Sequence, residues 1–346
     1  MMKFLRGAAL ALICLHAVAA PEIRGAGATF PSDVYKTWAS AYEKERAQKV
    51  SYRATGSGDG IKRIVAREVD FGGSDSPLSS ADLAKHRLVQ FPTAVGGIVP
   101  VVNLPGVHAN ELRLSGELLA DIMAGRVTHW NDARIAALNP QRSLPALAIT
   151  RIVRSDKSGT TDAFTKYLAT MSAPWRSEVG HGQLVAWPGT PLAVDGNDGI
   201  VKALNDKVGA IGYVSYDRVI RHGLAGVRLR NTTGSFVAAS EEGFRAAVME
   251  SDLAKKGDET ASLLNQPGAL TWPVTVTTFV LVDAEPKTAA GARDVLQFLY
   301  WTFLNGDALI RLSGFTPLPA HIQARLVPRF QQVKPQDKQP LNFYSL

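Results

Sequence analysis

Three short segments, far apart in the chain, share one composition: small residues and hydroxyls placed just before a helix-like pattern. They are Gly25-Ala26-Gly27-Ala28-Thr29-Phe30-Pro31, Thr55-Gly56-Ser57-Gly58-Asp59-Gly60 and Arg154-Ser155-Asp156-Lys157-Ser158-Gly159-Thr160. A helix start leaves its first N–H groups without intrahelical partners and carries the positive end of the helix dipole. If the three starts converge, they form a ring of donors around a small multivalent anion. Thr29, Ser57, Ser158 and Thr160 add hydroxyls, which donate or accept. Arg154 adds a guanidinium fork suited to a tetrahedral oxyanion, and Asp156, two residues on, is placed to hold it. Asp75 is the odd member. A carboxylate among anion-binding groups repels a fully ionised ligand and helps only when the ligand brings a proton. Phosphate near neutral pH does so and sulfate does not, so an Asp75 that stays ionised selects against sulfate. Together these residues imply an oxyanion site, with phosphate the best fit.

Each feature also has a plainer explanation. Ser-Gly-Thr and Gly-Ser-Gly are common turn sequences. Asp75 could cap a segment beginning at Pro77, and Arg154 with Asp156 could be a solvated surface pair. Trp38, Tyr42 and Phe164 are expected in the core. Rival motifs fail. Gly56 to Lys62 lacks the Gly-Lys-Ser/Thr of a nucleotide loop, since Lys62 follows Ile61 and precedes Arg63. The first segment lacks the third glycine of a dinucleotide loop, and no Gly-x-Ser-x-Gly elbow is present. The histidines beyond the N-terminal segment are scattered with no pair at i,i+4 spacing, so neither a metal site nor a cofactor is expected.

The elements that must position these residues alternate between strand and helix, which argues for α/β layers. Val34, Trp38, Ala41 and Tyr42 recur at helical spacing after Pro31, and Val50 to Ala54 reads as a strand. Ile61, Ile64 and Val65 form a helical stripe after Gly60. Val69 to Asp75 reads as a strand running into a turn. Leu118, Leu119, Ile122 and Met123 form another helix face, with Ser115 as its cap. Ile149 to Arg154 is a strand feeding the third loop. Ala163, Phe164, Tyr167 and Leu168 mark the helix that follows it. Ala210 to Val214 and Val276 to Val282 are further strands, and Leu296 to Phe303 is a late helix. The polar, Pro-containing stretch from Gln331 to Gln339 is expected to be loosely ordered.

Residues 1–19 have the order of a secretory signal: Lys3 and Arg6, a short apolar run from Ala8 to Leu15, then Ala17-Val18-Ala19 before a cut ahead of Ala20. Cys14, the only cysteine, falls inside this segment, so the mature chain is expected to hold no disulfide or thiolate. The formal charge of +7 becomes +5 once Lys3 and Arg6 are removed. That modest excess attracts small anions. Its basic residues are spread along the chain without a dense block, which argues against nucleic acid.

The chain resembles the substrate-binding proteins of the bacterial phosphate-specific ABC transport system, from about Ile23 to near Phe330. The likeness rests on Gly25 to Pro31, Val69 to Asp75, Ser158-Gly159-Thr160, Gly196-Asn197-Asp198-Gly199-Ile200 and Ala210-Ile211-Gly212-Tyr213, in that order. It implies an α/β, two-lobed periplasmic binding protein fold with the ligand cleft between the lobes. Lobe I would be discontinuous, residues 20–97 and 276–346, and lobe II would span 98–275. The crossings would fall near Pro92 to Val102 and Pro273 to Val282. The resemblance further implies phosphate contacts from Thr29 and Phe30 at the first helix start and Ser57 at the second. Asp75 would accept the ligand's proton, and Arg154, supported by Asp156, would pair with its oxygens. Ser158, Gly159 and Thr160 would close the cage. Asp59 departs from the family's small-residue run and is expected to face solvent, and the stretch from Gly189 to Asp195 is given no role. The implied partners are inorganic phosphate and the permease subunits of an ABC transporter, for a monomeric, periplasmic, non-enzymatic protein. Two other classes share the same residues: a secreted phosphatase, and a surface interaction protein reusing this fold.

Overall fold

One strand, Leu88–Asn103, organises the molecule. The structure is a computed structural model that describes residues 21–344 except 312; the expected signal segment, residues 1–19 with Cys14, lies outside the described residues. Leu88–Asn103 has 16 residues, all buried but the last, and so extends about 50 Å, well beyond the usual strand length. Its two halves have different neighbours. Leu88 to Gly97 pairs antiparallel with Thr275–Asp283, and Ile98 to Asn103 pairs antiparallel with Ala210–Ser215. The full order across the sheet is Val50–Ala54, Ile23–Gly27, Phe71–Ser74, Thr275–Asp283, Leu88–Asn103, Ala210–Ser215, Thr150–Arg154 and Leu192–Val194. The outer strands on each side run parallel, as expected where helices connect them. The sheet is therefore two parallel wings joined by an antiparallel centre.

A second chain crossing lies beside the first. The Ile98 amide donates to the Val274 carbonyl at 2.8 Å, and Trp272 Nε1 donates to the Ile98 carbonyl at 3.0 Å. Leu88–Asn103 carries a β-bulge at Thr93 against Thr275–Asp283, where Thr278 pairs with Ala94 and Phe279 with Pro92.

Helices cover the wings. Ser32–Arg46 starts directly after Pro31 and ends at Ala47, whose φ of 55° turns the chain out of the helix. Its face packs Trp38 and Tyr42 onto the long helix Ala289–Ile310: Trp38 Nε1 donates to the Gly306 carbonyl, and the Tyr42 ring meets Phe298 and Trp301 edge-on. Burying each such ring contributes roughly 1.5–3 kcal/mol. Phe164, from Gly159–Met171, stacks on Tyr213 at 4.3 Å. Ser115 caps Gly116–Met123 by accepting from the Leu118 amide, as its position predicted.

Two expectations are corrected. The strand read from Val69 to Asp75 is only Phe71–Ser74; Val69 and Asp70 lie in the preceding turn, where the Asp70 amide bonds the Arg24 carbonyl. The stretch Gln331 to Gln339 is tied down rather than loose. The Lys334 amide bonds the Ala284 carbonyl, the Gln336 amide bonds the Pro286 carbonyl, and Asp337 accepts from the Ala289 amide. Local composition reports polarity, but these partners lie about fifty residues away in sequence, out of reach of any local pattern.

Candidate functional site

The three segments singled out from sequence are bonded to one another: the Thr55 and Gly56 amides donate to the Gly27 carbonyl, and the second segment meets the third at Lys157. Ser57–Val65 begins at Ser57, four residues before the first member of its apolar stripe, Ile61, with Gly56 just before it at φ +95°. Gly159–Met171 begins with Ser158 as its cap, whose Oγ accepts from the Thr161 amide at 3.2 Å. The two starts touch: the Gly58 amide donates to the Lys157 carbonyl at 3.0 Å. Glycine is required at both starts. A Cβ on Gly56 would lie 2.6 Å from Asp156 Oδ2, and one on Gly159 would lie 2.6 Å from Ser57 Oγ and 2.8 Å from Asp75 Cβ. Asp75, Ser57 and Gly159 therefore form one contact point, and Ser57 Oγ accepts from the Asp75 amide at 3.2 Å.

Arg154 is not a surface residue. It is 2 % exposed, at the end of Thr150–Arg154, and grips Asp156 through two bonds: Nε to Oδ1 at 2.6 Å and Nη2 to Oδ2. Asp156 Oδ1 also accepts from the Gly196 amide at 3.1 Å. Burial raises the Asp156 pKa, but the Arg154 hydrogen bonds and charge outweigh it and hold the carboxyl below its ordinary value. Asp156 thus aims the guanidinium, leaving Nη1 for something else. Among the described residues, Arg154 Nη1 and Thr160 Oγ1 are both buried with no hydrogen-bond partner. A buried unpaired donor costs about 1–3 kcal/mol, more for a charged one. Two of them beside helix starts with free amides are the chemistry of an anion site.

Thr29 and Phe30 stand at the start of Ser32–Arg46. The Phe30 ring is buried against Phe315 at 5.0 Å, so only its backbone faces the site. Thr29 Oγ1 accepts from the Asn197 side-chain amide at 2.9 Å and the Asn197 backbone amide at 3.4 Å. With both acceptor positions taken, the Thr29 hydroxyl proton is free to be donated. Asn197 itself is wholly buried and accepts from the Ser215 amide at 3.0 Å. The sequence singled out Gly196 to Ile200 as a motif but gave Asn197 no role. Its signal was a polar residue at the first turn of a helix after a glycine. The neighbouring stretch from Gly189 to Asp195, also given no role, supplies the edge strand Leu192–Val194 and, in Asp195, the residue that precedes helix Gly196–Asp206.

Asp75 is 6 % exposed and is not a helix cap; Ser79 caps the helix Ser80–His86 instead. Its Oδ1 accepts from Thr278 Oγ1 at 2.8 Å. Burial pushes its pKa up to about 7, against the opposing pull of the Thr278 hydrogen bond, the Arg154 charge and a Ser57 hydrogen bond. Burial therefore works against the ionised form on which the selectivity argument depends, and the hydrogen bonds and the Arg154 charge work for it. The sequence reading weighed Asp75's chemistry without its desolvation. Asp59, by contrast, points away and pairs with Arg63 one turn on, Nε to Oδ2 at 2.6 Å.

A two-winged α/β sheet with an oxyanion-type site at converging helix starts defines a ligand-binding protein of the periplasmic type. The PBP superfamily domain model matches residues 16–304. The chain is 42% identical over 303 residues to the phosphate-binding protein PstS of Haemophilus influenzae, covering 88% of this chain and 90% of that one. It is 40% identical over 323 residues to PstS of Pasteurella multocida, covering 93% and 94%. Among solved structures, a phosphate-binding protein from Stenotrophomonas maltophilia superposes with a TM-score of 0.66 at 21% identity, covering 90% of this chain and 94% of that one. The chain belongs to the PBP superfamily and, within it, to the family of the PstS phosphate-binding proteins.

Proposed function

We propose that this protein binds inorganic phosphate with high affinity and delivers it to the permease of an ABC importer. The observation that carries the reading is the pair of buried, unpartnered donors, Arg154 Nη1 and Thr160 Oγ1, set beside the touching helix starts at Ser57 and Gly159. The anion sits among the hydroxyls of Thr29, Ser57, Ser158 and Thr160 and the amides of Phe30 and Gly159. Arg154, aimed by Asp156, neutralises it, and Asp75 accepts its proton. Thr29 is held by Asn197, Ser158 by the Thr161 amide, Arg154 by Asp156 and Asp75 by Thr278, which favours a preformed site over one assembled by the ligand.

Two lobes, 20–97 with 276–346 and 98–275, close on the ligand by a hinge motion of the type described for periplasmic binding proteins. Support comes from the change of partners within Leu88–Asn103 at Gly97/Ile98 and from the second crossing beside it. The bonds from Asn197 to Thr29, Gly58 to Lys157 and Ser76 Oγ to Asp162 tie one proposed lobe to the other. The protein works as a periplasmic monomer exported through its signal segment, and it turns over no substrate. The test is calorimetric titration of the anion-stripped mature protein with phosphate, arsenate and sulfate. We expect saturable phosphate binding with a Kd of about 1 μM or below. No heat and no thermal stabilisation at millimolar phosphate would refute it. Reproducible release of phosphate from a phosphomonoester, lost in Ser57→Ala or Ser158→Ala, would point to a phosphatase instead.

A further inference from the structure

Thr278 has no place in the anion ring, yet two independent features of the sheet bring it to Asp75. The first is register. Thr275–Asp283 pairs antiparallel with Phe71–Ser74 as Leu281 with Gly72, Val280 with Gly73 and Phe279 with Ser74. Continued by one pair, that register sets Thr278 directly opposite Asp75, just where the ladder ends. The second is the bulge on the other side of the same strand. Against Leu88–Asn103, Thr278 pairs with Ala94 but Phe279 pairs with Pro92, leaving Thr93 as the extra residue. Bulges re-aim side chains, because side-chain direction alternates along a strand. Here the bulge is held in place. Thr93 Oγ1 donates to the Thr278 carbonyl at 3.3 Å, and the Tyr35 hydroxyl bonds Thr93 Oγ1 at 2.9 Å, all of it buried. The result is the 2.8 Å bond from Thr278 Oγ1 to Asp75 Oδ1.

We propose that Thr278 is a specificity-determining positioning residue: it donates to Asp75 Oδ1, so that the carboxyl group turns Oδ2 to the ligand and is biased toward the ionised form, which can only accept. The proposal rests on the phosphate reading of the site and deepens it. A carboxyl group that can rotate or protonate freely offers sulfate a donor, and selectivity falls. A threonine hydroxyl can satisfy either form of the acid, but with its own proton directed at Oδ1 it favours the ionised form. The other groups near Asp75 do not replace it. Ser57 adds a weaker hydrogen bond and Arg154 a charge, both acting in the same direction but less than Thr278, and Tyr35 and Tyr52 are phenols that burial keeps well above their ordinary pKa. Asp162 and Lys166 line the small cavity on its far side.

The experiment compares wild type, Thr278→Val and Thr278→Ser by titration with phosphate and with sulfate across a pH series. In Thr278→Val the phosphate-to-sulfate affinity ratio at neutral pH should fall by about tenfold or more, the scale of losing a hydrogen bond to a charged group. Sulfate binding should persist to higher pH than in wild type, and Thr278→Ser should restore both. A merely structural role would lower affinity for both anions together and leave the ratio and its pH profile alone; that result overturns the proposal. Should the valine variant not fold, Thr278→Ala removes the same donor without a branched replacement and reads the same ratio. A wild type that binds no phosphate overturns the reading of the site and this assignment with it, whereas phosphate binding with an unmoved ratio overturns only the assignment.

Discussion

Replacing Asp75 with Asn should change how the ligand-free protein's stability depends on pH. The carboxyl is buried, and its pKa stands at about 7 against 3.8 for the free side chain. The folded chain therefore holds this proton more tightly than the unfolded chain does. Between pH 3.8 and about 7, the folded state carries a proton that the unfolded state has released, so stability falls as pH rises. The contribution is fully present below the lower value and lost as pH passes the upper one. A displacement of about three pH units at about 1.4 kcal/mol each gives on the order of 4 kcal/mol across that window. Asn cannot titrate and keeps a polar group of nearly the same shape. The stability of Asp75→Asn relative to wild type should therefore climb by up to that amount from acid to alkaline pH. The assay is urea unfolding of both proteins in phosphate-free buffers across this range, using only the difference between them, so that other titrating groups cancel. A difference that stays flat with pH, or slopes the other way, would refute the argument that burial dominates the Asp75 environment. The same titration bears on selectivity. Neutral Asp75 can donate to sulfate and ionised Asp75 cannot, so wild-type discrimination should sharpen as pH rises through about 7. Above it, rejection of sulfate should approach a factor on the order of 10⁴, as sites built around a ligand's donor group achieve.

Three further outcomes are expected. Arg154→Ala should weaken phosphate binding by about 2–5 kcal/mol, because it removes the buried cation and strands Asp156; near wild-type affinity by titration would place Arg154 outside the site. Asn197→Ala should weaken phosphate binding by about 1–3 kcal/mol, since Thr29 loses the side-chain amide that helps orient its hydroxyl, keeping only the backbone amide of residue 197, and Ser215 loses an acceptor. If its affinity is unchanged in the same titration, Thr29 does not need that partner. Arg218, 2 % exposed, binds Asp33, Asp198, Asp217 and the Ser32 hydroxyl. Arg218→Ala leaves these acids facing one another and should cost about 3–5 kcal/mol in urea unfolding; a loss below about 1 kcal/mol would show that solvent screens the cluster.

Helix starts, caps and apolar stripes were legible in the chain because they are local. A glycine and a hydroxyl before a 3.6-residue pattern mark Ser57, Ser158 and Thr29, and the Arg154–Asp156 pair stands two residues apart. What local pattern could not carry was everything that depends on distance in sequence. Asn197 reaches Thr29 from 168 residues away, and Thr278 reaches Asp75 from 203. The polar C-terminal stretch is ordered by carbonyls near residue 285. The Asp75 pKa belongs to this group as well. Its side chain has ordinary chemistry, and only packing by Ser57, Gly159 and Thr278 withdraws water from it. The residue types therefore decide which groups can bind an anion. Which of them are desolvated, aimed and left unpaired is decided by tertiary structure, because burial and hydrogen-bond geometry are properties of neighbours in space.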